Sequence, residues 1–270
     1  MIKATATKVL AGGKTMGREG DIELVSIEYH GDVALVRLNR GKTNAINLGL
    51  TQKLRETLKE VQKTSKSLIL CSSNDKFFSI GWDIPELYYL DREGFAEFYR
   101  AFTGLQVDLY TLPMPTIAAV TGHAVAGGCI LALCCDYRYI ADGKKLMGLN
   151  EVKLGVPIPY PVDCILRSIV GTRLARTITD FGEFYLPEES LKMGIVDCVT
   201  QLEEVVPLCE EKATVLGALP EKARVAIKRD RTEPVERQIL QHLEEKEKIF
   251  LECWFSREAR IMLEEQMKKF

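Results

Sequence analysis

The chain has 270 residues, of which 46% are hydrophobic and 27% charged, with a formal net charge of -2. A length of this order buries roughly three quarters of the unfolded surface and suits one large domain. The near-neutral charge offers no basic field for nucleic acid or anionic membrane, and the longest apolar runs, Ile117–Val120 and Ile130–Cys135, fall far short of the roughly 20 residues of a membrane-spanning helix.

Residues 1–20 are basic and glycine-bearing without a continuous apolar stretch, which reads as a flexible extension rather than a secretory signal. Four β-branched runs bounded by turn formers read as strands: residues 24–30, 33–39, 67–73 and 116–122. Gly31-Asp32 separates the first two by the length of a tight hairpin. After Asn47, the residues Leu50, Leu54, Leu58 and Val61 share one face of an amphipathic helix. In "FFSIGWDIPEL" (77–87), Asp83 and Glu86 have the spacing of a helix N-cap and its capping partner, with Pro85 in the first turn.

The segment 122–136 reads as a glycine loop entering a buried helix, and "YRYIAD" (137–142) as a further strand. From about Leu191 the chain becomes rich in charged amphipathic helix, above all over 234–269. The expected organisation is an extension at 1–20, an α/β core over 21–200 and a helical region over 201–270. The eight cysteines show no CxxC spacing, and no pair of the histidines His30, His123 and His242 has metal-ligand spacing. Neither a disulfide framework nor a metal site is expected, and the thiols suit a reducing cytoplasm. The C-terminal KKF does not match the SKL peroxisomal address.

Two glycine-bearing turns, 77–87 and 122–130, each follow a strand and precede a helix. Such turns leave backbone N–H groups unpaired, and two that converge can hold a developing oxyanion. Spacing alone equally fits tight turns and close packing, and neither stretch is a GxGxxG or GxxxxGK[ST] phosphate loop.

Five stretches in order, "VALVRLNRGKTNAINLGL", "FFSIGWDIPEL", "MPTIAAVTGHAVAGGCILALCCDYRYIA", "LMGLNEVKLGVPIP" and "SLKMGIVDCV", resemble the enoyl-CoA hydratase/isomerase (crotonase) superfamily across most of residues 24–200. The resemblance implies an α/β fold, a crotonase-like spiral of ββα units with a helical C-terminal trimerisation region, and a homotrimer or hexamer. It implies an acyl-CoA substrate, with no cofactor beyond the coenzyme A that the substrate carries. It places the thioester carbonyl between the backbone N–H groups of Trp82 and Gly127. It assigns Arg40 and Lys42 to the nucleotide phosphates and the backbone of Ser79 and Ile80 to the adenine.

Hydratases of the superfamily use two glutamates, at the positions matching Ile130 and Glu151. Isoleucine can neither activate water nor carry a proton, so ordinary hydration is disfavoured. Glu151 alone suffices for a proton shift between C2 and C4, and the single-glutamate pattern resembles delta3-delta2-enoyl-CoA isomerases. Ile130 and Tyr160 are expected on the acyl pocket, and the indole of Trp82 either as its wall or as core beside Phe77 and Phe78. His123 is expected to shape its loop by a hydrogen bond, Asp136 to serve at a helix end or subunit contact, and Glu151 otherwise to pair with Lys153 or Lys145. The alternatives are another thioester reaction of the superfamily (hydrolase, decarboxylase, hydratase or ring cleavage) and a catalytically silent acyl-CoA binder.

Overall fold

Hydrogen bonding along the β-branched runs generates two sheets, seen in a computed structural model that describes residues 23–268. The extension expected at 1–20 lies outside the described residues. Strands β1 (Val25–His30) and β2 (Val33–Leu38) form the expected hairpin, His30 opposite Val33, with Gly31 at φ +62° in the turn. Helix α1 (Leu48–Thr64) follows, and the Asn47 side chain accepts the Leu50 N–H at 2.9 Å, which caps it. Next come β3 (Ser67–Ser72), β4 (Phe77–Ser79), α2 (Ile84–Leu87), α3 (Arg92–Tyr110) and β5 (Thr116–Val120).

The stretch read as a loop before the buried helix holds a short strand, β6 (His123–Val125), and only then α4 (Gly127–Leu133). Beyond them lie β7 (Tyr137–Ala141), β8 (Met147–Gly148), a 3-10 turn at Glu151–Leu154 and α5 (Tyr160–Phe181), which is interrupted at Gly171. The chain ends with β9 (Phe184–Tyr185), α6 (Pro187–Lys192), β10 (Cys198–Thr200), α7 (Leu202–Gly217), α8 (Glu221–Trp254) and α9 (Arg257–Met267). Within the stretch read as helix-rich from about Leu191, α8 begins at Glu221, runs through Pro234 and breaks before Ser256, which caps α9. Among the described residues no helix is long and apolar enough to cross a membrane.

The larger sheet has the order β1-β2-β3-β5-β7-β10, parallel except for the first pair. Along its parallel inner strands β2, β3 and β5 both faces are buried, as parallel pairing favours. Ala34, Val36, Leu68, Leu70, Ala118 and Val120 point into the main core, beneath α1 and α3. The alternate residues Leu35, Ile69, Ile117 and Ala119 meet Val205, Cys209 and Ala213 of α7 on the other face. The helical C-terminal region therefore completes the core instead of standing apart from it.

The smaller sheet, β4-β6-β8-β9, positions the site. Its first three strands are parallel, and β9 runs antiparallel to β8. The chain leaves β4, β6 and β8 on the same side and reaches Trp82, Gly127 and Glu151, respectively, within three residues of each strand end. One edge of one sheet thus gathers all three residues that the resemblance singles out.

At the opposite end of α4, Asp136 ties the layers together. Its carboxylate accepts the Thr116 N–H (2.9 Å) and Lys228 Nζ (2.8 Å) and also pairs with Arg231, both cations coming from α8. Lys228 is itself buried, and donates also to Met114 O at 2.8 Å. Asp136 therefore acts within the chain, between α4 and α8. Asp136→Ala leaves the buried ammonium without its counter-charge, and a loss of about 3–5 kcal/mol is expected, to be measured as a shift in urea unfolding.

Candidate active site

Glycine has a steric reason to stand at positions 127 and 128. A Cβ on Gly128 would sit 2.3 Å from Ser79 O, and one on Gly127 would sit 2.9 Å from Trp82 Cδ1 and 3.2 Å from Gly81 Cα. Reciprocally, a Cβ on Gly81 would lie 3.0 Å from Gly127 N. The two turns are pressed backbone to backbone, closer than any side chain permits. Between β6 and α4, Ala126 takes φ 48°, ψ -120°, a positive-φ backbone that costs an alanine of order 1–3 kcal/mol. Nothing in the sequence signals that strain.

Both turns present amide hydrogens. Ile46 N–H donates to Gly81 O (2.7 Å) and Asp83 N–H donates to Ile46 O (2.9 Å), so Ile46 bridges Trp82 in the parallel sense. In that geometry the N–H of Trp82 itself points away from Ile46. The N–H of Gly127, first in α4, has no acceptor within the helix.

A cavity of about 550 Å³ opens against these turns. Trp82, Gly127 and Glu151 all line it, with Ile80 and His123 at other points and Trp254, Met262 and Glu265 contributed by the last two helices. Glu151 sits at the start of the 3-10 turn, 7% exposed. Its Oε2 is buried without a hydrogen-bond partner. Desolvation pushes its pKa up to about 7, against a smaller lowering by hydrogen bonds from its own and the Asn150 backbone. The lysines that could have neutralised it are engaged elsewhere: Lys153 pairs with Glu183 at 2.7 Å and Lys145 donates to Asp75 O at 2.6 Å.

Other expected residues fall differently. Ile130 is 1% exposed in the core and is not on the cavity lining. Tyr160 lines a separate cavity of about 360 Å³ and receives a hydrogen bond from Gln238 Nε2 at 3.4 Å. Arg40 is held internally: it donates to Asp83 Oδ2 (2.7 Å), Ala45 O (2.8 Å) and Glu86 Oε2 (3.0 Å). It lines an adjoining recess of about 230 Å³ with Trp82 and Asp83. Lys42 is exposed on the loop beside it. Ser79 is buried, its hydroxyl donating to Asn44 O at 2.7 Å, and the Ile80 N–H is spent on Thr43 O at 3.0 Å.

Asp83 caps α2 as expected, accepting the Glu86 N–H at 3.1 Å, but the Glu86 side chain turns to Arg40 and Asn47 instead of closing the box. His123 does shape its loop, Nδ1 accepting the Leu146 N–H at 3.1 Å; burial first, then Lys145 and Lys76, lowers its pKa. A ring nitrogen that accepts must be unprotonated, which leaves the hydrogen on Nε2. Among the described residues no group of three His, Cys, Asp or Glu side chains is placed to hold a metal.

The indole of Trp82 reaches an aromatic cluster drawn from beyond its own loop. Its rings meet those of Phe98 (5.1 Å), Phe102 (5.4 Å), Phe250 (5.5 Å) and Trp254 (5.9 Å). Helices α3 and α8 supply these partners, and no local pattern connects them to the loop at 77–87.

A layered α/β core with two converging amide turns and a desolvated carboxylate defines an enzyme fold of the crotonase class. A sequence model described as enoyl-CoA hydratase/isomerase matches residues 28–270, and the chain belongs to that family. Mouse mitochondrial enoyl-CoA delta isomerase 1 is 30% identical over 236 residues, covering 83% of this chain and 82% of its own length. Crotonyl-CoA hydratase of Syntrophomonas wolfei is 29% identical over 76% of this chain and 79% of its own. A crystal structure of human mitochondrial delta3-delta2-enoyl-CoA isomerase superimposes with a TM-score of 0.88, at 26% identity, over 92% of this chain and 98% of that one. These likenesses support an enzyme of the isomerase type, with hydratases also among the relatives.

The raised pKa of Glu151 has a consequence for stability. Between its unfolded value near 4.5 and about 7, the folded protein holds a proton that the unfolded chain has lost. The stabilisation is whole below pH 4.5 and disappears as pH rises through 7. Glu151→Gln, which cannot ionise, is expected to match the wild type at pH 4 and to exceed it at pH 8 by up to about 3 kcal/mol, measured by denaturant unfolding at both values.

Proposed function

We propose that the protein is an acyl-CoA double-bond isomerase, converting 3-enoyl-CoA to 2-enoyl-CoA with Glu151 as its single proton carrier. The observation that carries the reading is the state of Glu151: a buried carboxylate on the cavity lining, paired with no cation among the described residues, with a pKa pushed up to about 7. A general base is most effective with a pKa near the working pH. The other carboxylate on the lining, Glu265, is exposed on α9.

In the proposed reaction the Glu151 carboxylate takes a proton from C2 of the thioester. The C–H electron pair forms a C1–C2 double bond and the carbonyl π pair moves onto the oxygen, giving a dienolate conjugated with the C3–C4 double bond, and that oxygen accepts hydrogen bonds from the N–H groups of Trp82 and Gly127. Glu151 then returns the proton to C4, leaving the double bond between C2 and C3. The fixed donors need no reorganisation as charge develops, which is the basis of oxyanion stabilisation. Coenzyme A enters as the substrate's own carrier, and the reaction calls on no separate cofactor. Hydration would need a second group for the water, and the position that matches it is Ile130, enclosed in the core.

For the nucleotide, Lys42 and the carbonyl of Ile80 keep their assignment, the Ile80 N–H being spent on Thr43 O, whereas Arg40 is reassigned. Bound to Asp83 and Glu86, Arg40 braces the Trp82 segment against the preceding loop instead of offering a free charge. Assembly as a homotrimer or hexamer belongs to the same proposal and is supported by exposed apolar side chains, Leu219 in the bend before α8 and Ile227 and Leu240 along it. A reducing compartment such as the cytoplasm fits its free thiols.

The test is turnover. Purified protein is expected to convert 3-hexenoyl-CoA to 2-hexenoyl-CoA and to leave crotonyl-CoA unhydrated, with products resolved by mass spectrometry. Release of free CoA, detected by a thiol reagent, would instead make it a hydrolase, and binding without any product would make it a silent homologue. Glu151→Gln should lower kcat by about 10²–10⁴-fold while acyl-CoA binding persists. The wild-type kcat should rise with pH through about 7 as Glu151 ionises.

A further inference from the structure

Aromatic rings that line the main cavity pack directly against aromatic rings that line the cavity beside Tyr160. Trp82 and Trp254 line the first, of about 550 Å³. Tyr99 and Phe250 line the second, of about 360 Å³. The rings touch across the boundary: Trp82 to Phe250 at 5.5 Å and Trp82 to Tyr99 at 6.4 Å between centroids. Tyr99 and Phe250 are themselves in contact at 4.4 Å, and Phe95 stacks on Trp254 at 4.1 Å. Where these rings meet, a contacting pair, Trp82 and Phe250, has one member on each cavity.

Two features make this wall a determinant of what the first cavity accepts. It stands where an acyl chain would run, because Trp82 carries the proposed oxyanion donor on its backbone and the wall on its side chain. It is also held by packing: the indole N–H groups of Trp82 and Trp254 are both buried without a hydrogen-bond partner. Ring and core packing therefore hold these two indoles, and a hydrogen bond between the Tyr99 hydroxyl and the Tyr160 backbone adds to this.

We propose that this aromatic partition, with Phe250 as its central ring, sets the acyl-chain length by ending the acyl pocket at Trp82 and Trp254. Opening it would join the second cavity, floored by Pro157, Ile158 and Tyr160, to the first. The proposal rests on the acyl-CoA reading of the cavity but not on the chemistry performed there.

The experiment is a calorimetric binding series with saturated acyl-CoA esters from butyryl to tetradecanoyl, kept below their micellar concentrations. Each methylene buried in the pocket should tighten binding about fourfold. For the wild type the gain is expected to stop at a chain length within the series, giving a break in the plot of affinity against carbon number. Phe250→Ala, or Phe250→Leu where the alanine variant does not fold, should move the break to longer chains by at least two methylenes and raise tetradecanoyl-CoA affinity about tenfold or more. Ile249→Ala, on the outer side of the second cavity, should leave the break where it is. An unbroken fourfold gain through tetradecanoyl in the wild type, or a break unmoved in a folded Phe250 variant, would overturn the partition. Binding with the predicted break but no turnover of any enoyl ester would overturn the isomerase reading and leave the partition standing, whereas failure to bind any acyl-CoA would remove both.

Discussion

The contact on which the site depends is the approach of two backbone turns to within the distance that only glycine allows. Gly81, Gly127 and Gly128 bring the end of β4 and the start of α4 together with no side chain between them. The turns that carry the Trp82 and Gly127 amides are held against each other in this way, and an adjacent strand, β8, delivers Glu151 to the same edge. Ala126 bears the backbone strain of the turn that enters α4. The surroundings hold it there, with Ala126 N–H donating to Gly148 O at 2.8 Å and Ile130 N–H to Ala126 O at 2.9 Å.

Burial then gives the carboxylate its character. Glu151 is removed from water without receiving a cation, and the desolvation that costs stability is the same effect that lifts its pKa into the neutral range. The contrast with Asp136 is instructive. That side chain is also nearly buried, yet it has Lys228, Arg231 and Thr116 around it and serves to join α8 to the sheet. Two acids at similar depth thus take opposite roles because one is compensated and the other is not.

The helical C-terminal region does more than enclose the fold. Helix α7 covers the second face of the large sheet, and α8 contributes Phe250 and Trp254 to the aromatic cluster behind Trp82. Helix α9 reaches the cavity with Met262 and Glu265, and Arg260 stacks on Tyr88 at 3.5 Å to dock it against α2. Chain far from the glycine turns in sequence therefore shapes what those turns can receive.

Local order was legible in the residues themselves. The hairpin at Gly31-Asp32, the Asn47 cap, the face of α1, the strands of the large sheet apart from β10 and the glycine turns all depend on neighbours a few positions apart, so periodicity and turn chemistry suffice to place them. Glu151 and the two amides were reachable only because several stretches in fixed order resemble one family; a lone glutamate beside lysines otherwise reads as an ordinary surface pair. The tertiary structure decided the rest. It committed Arg40 to Asp83 and Glu86, removed Ile130 and Tyr160 from the main cavity, split 122–126 into a strand and a strained turn, and set Trp82 among rings from α3 and α8. Each of these outcomes depends on which distant side chains share a volume, and that is fixed by packing in three dimensions, which short-range sequence pattern does not encode.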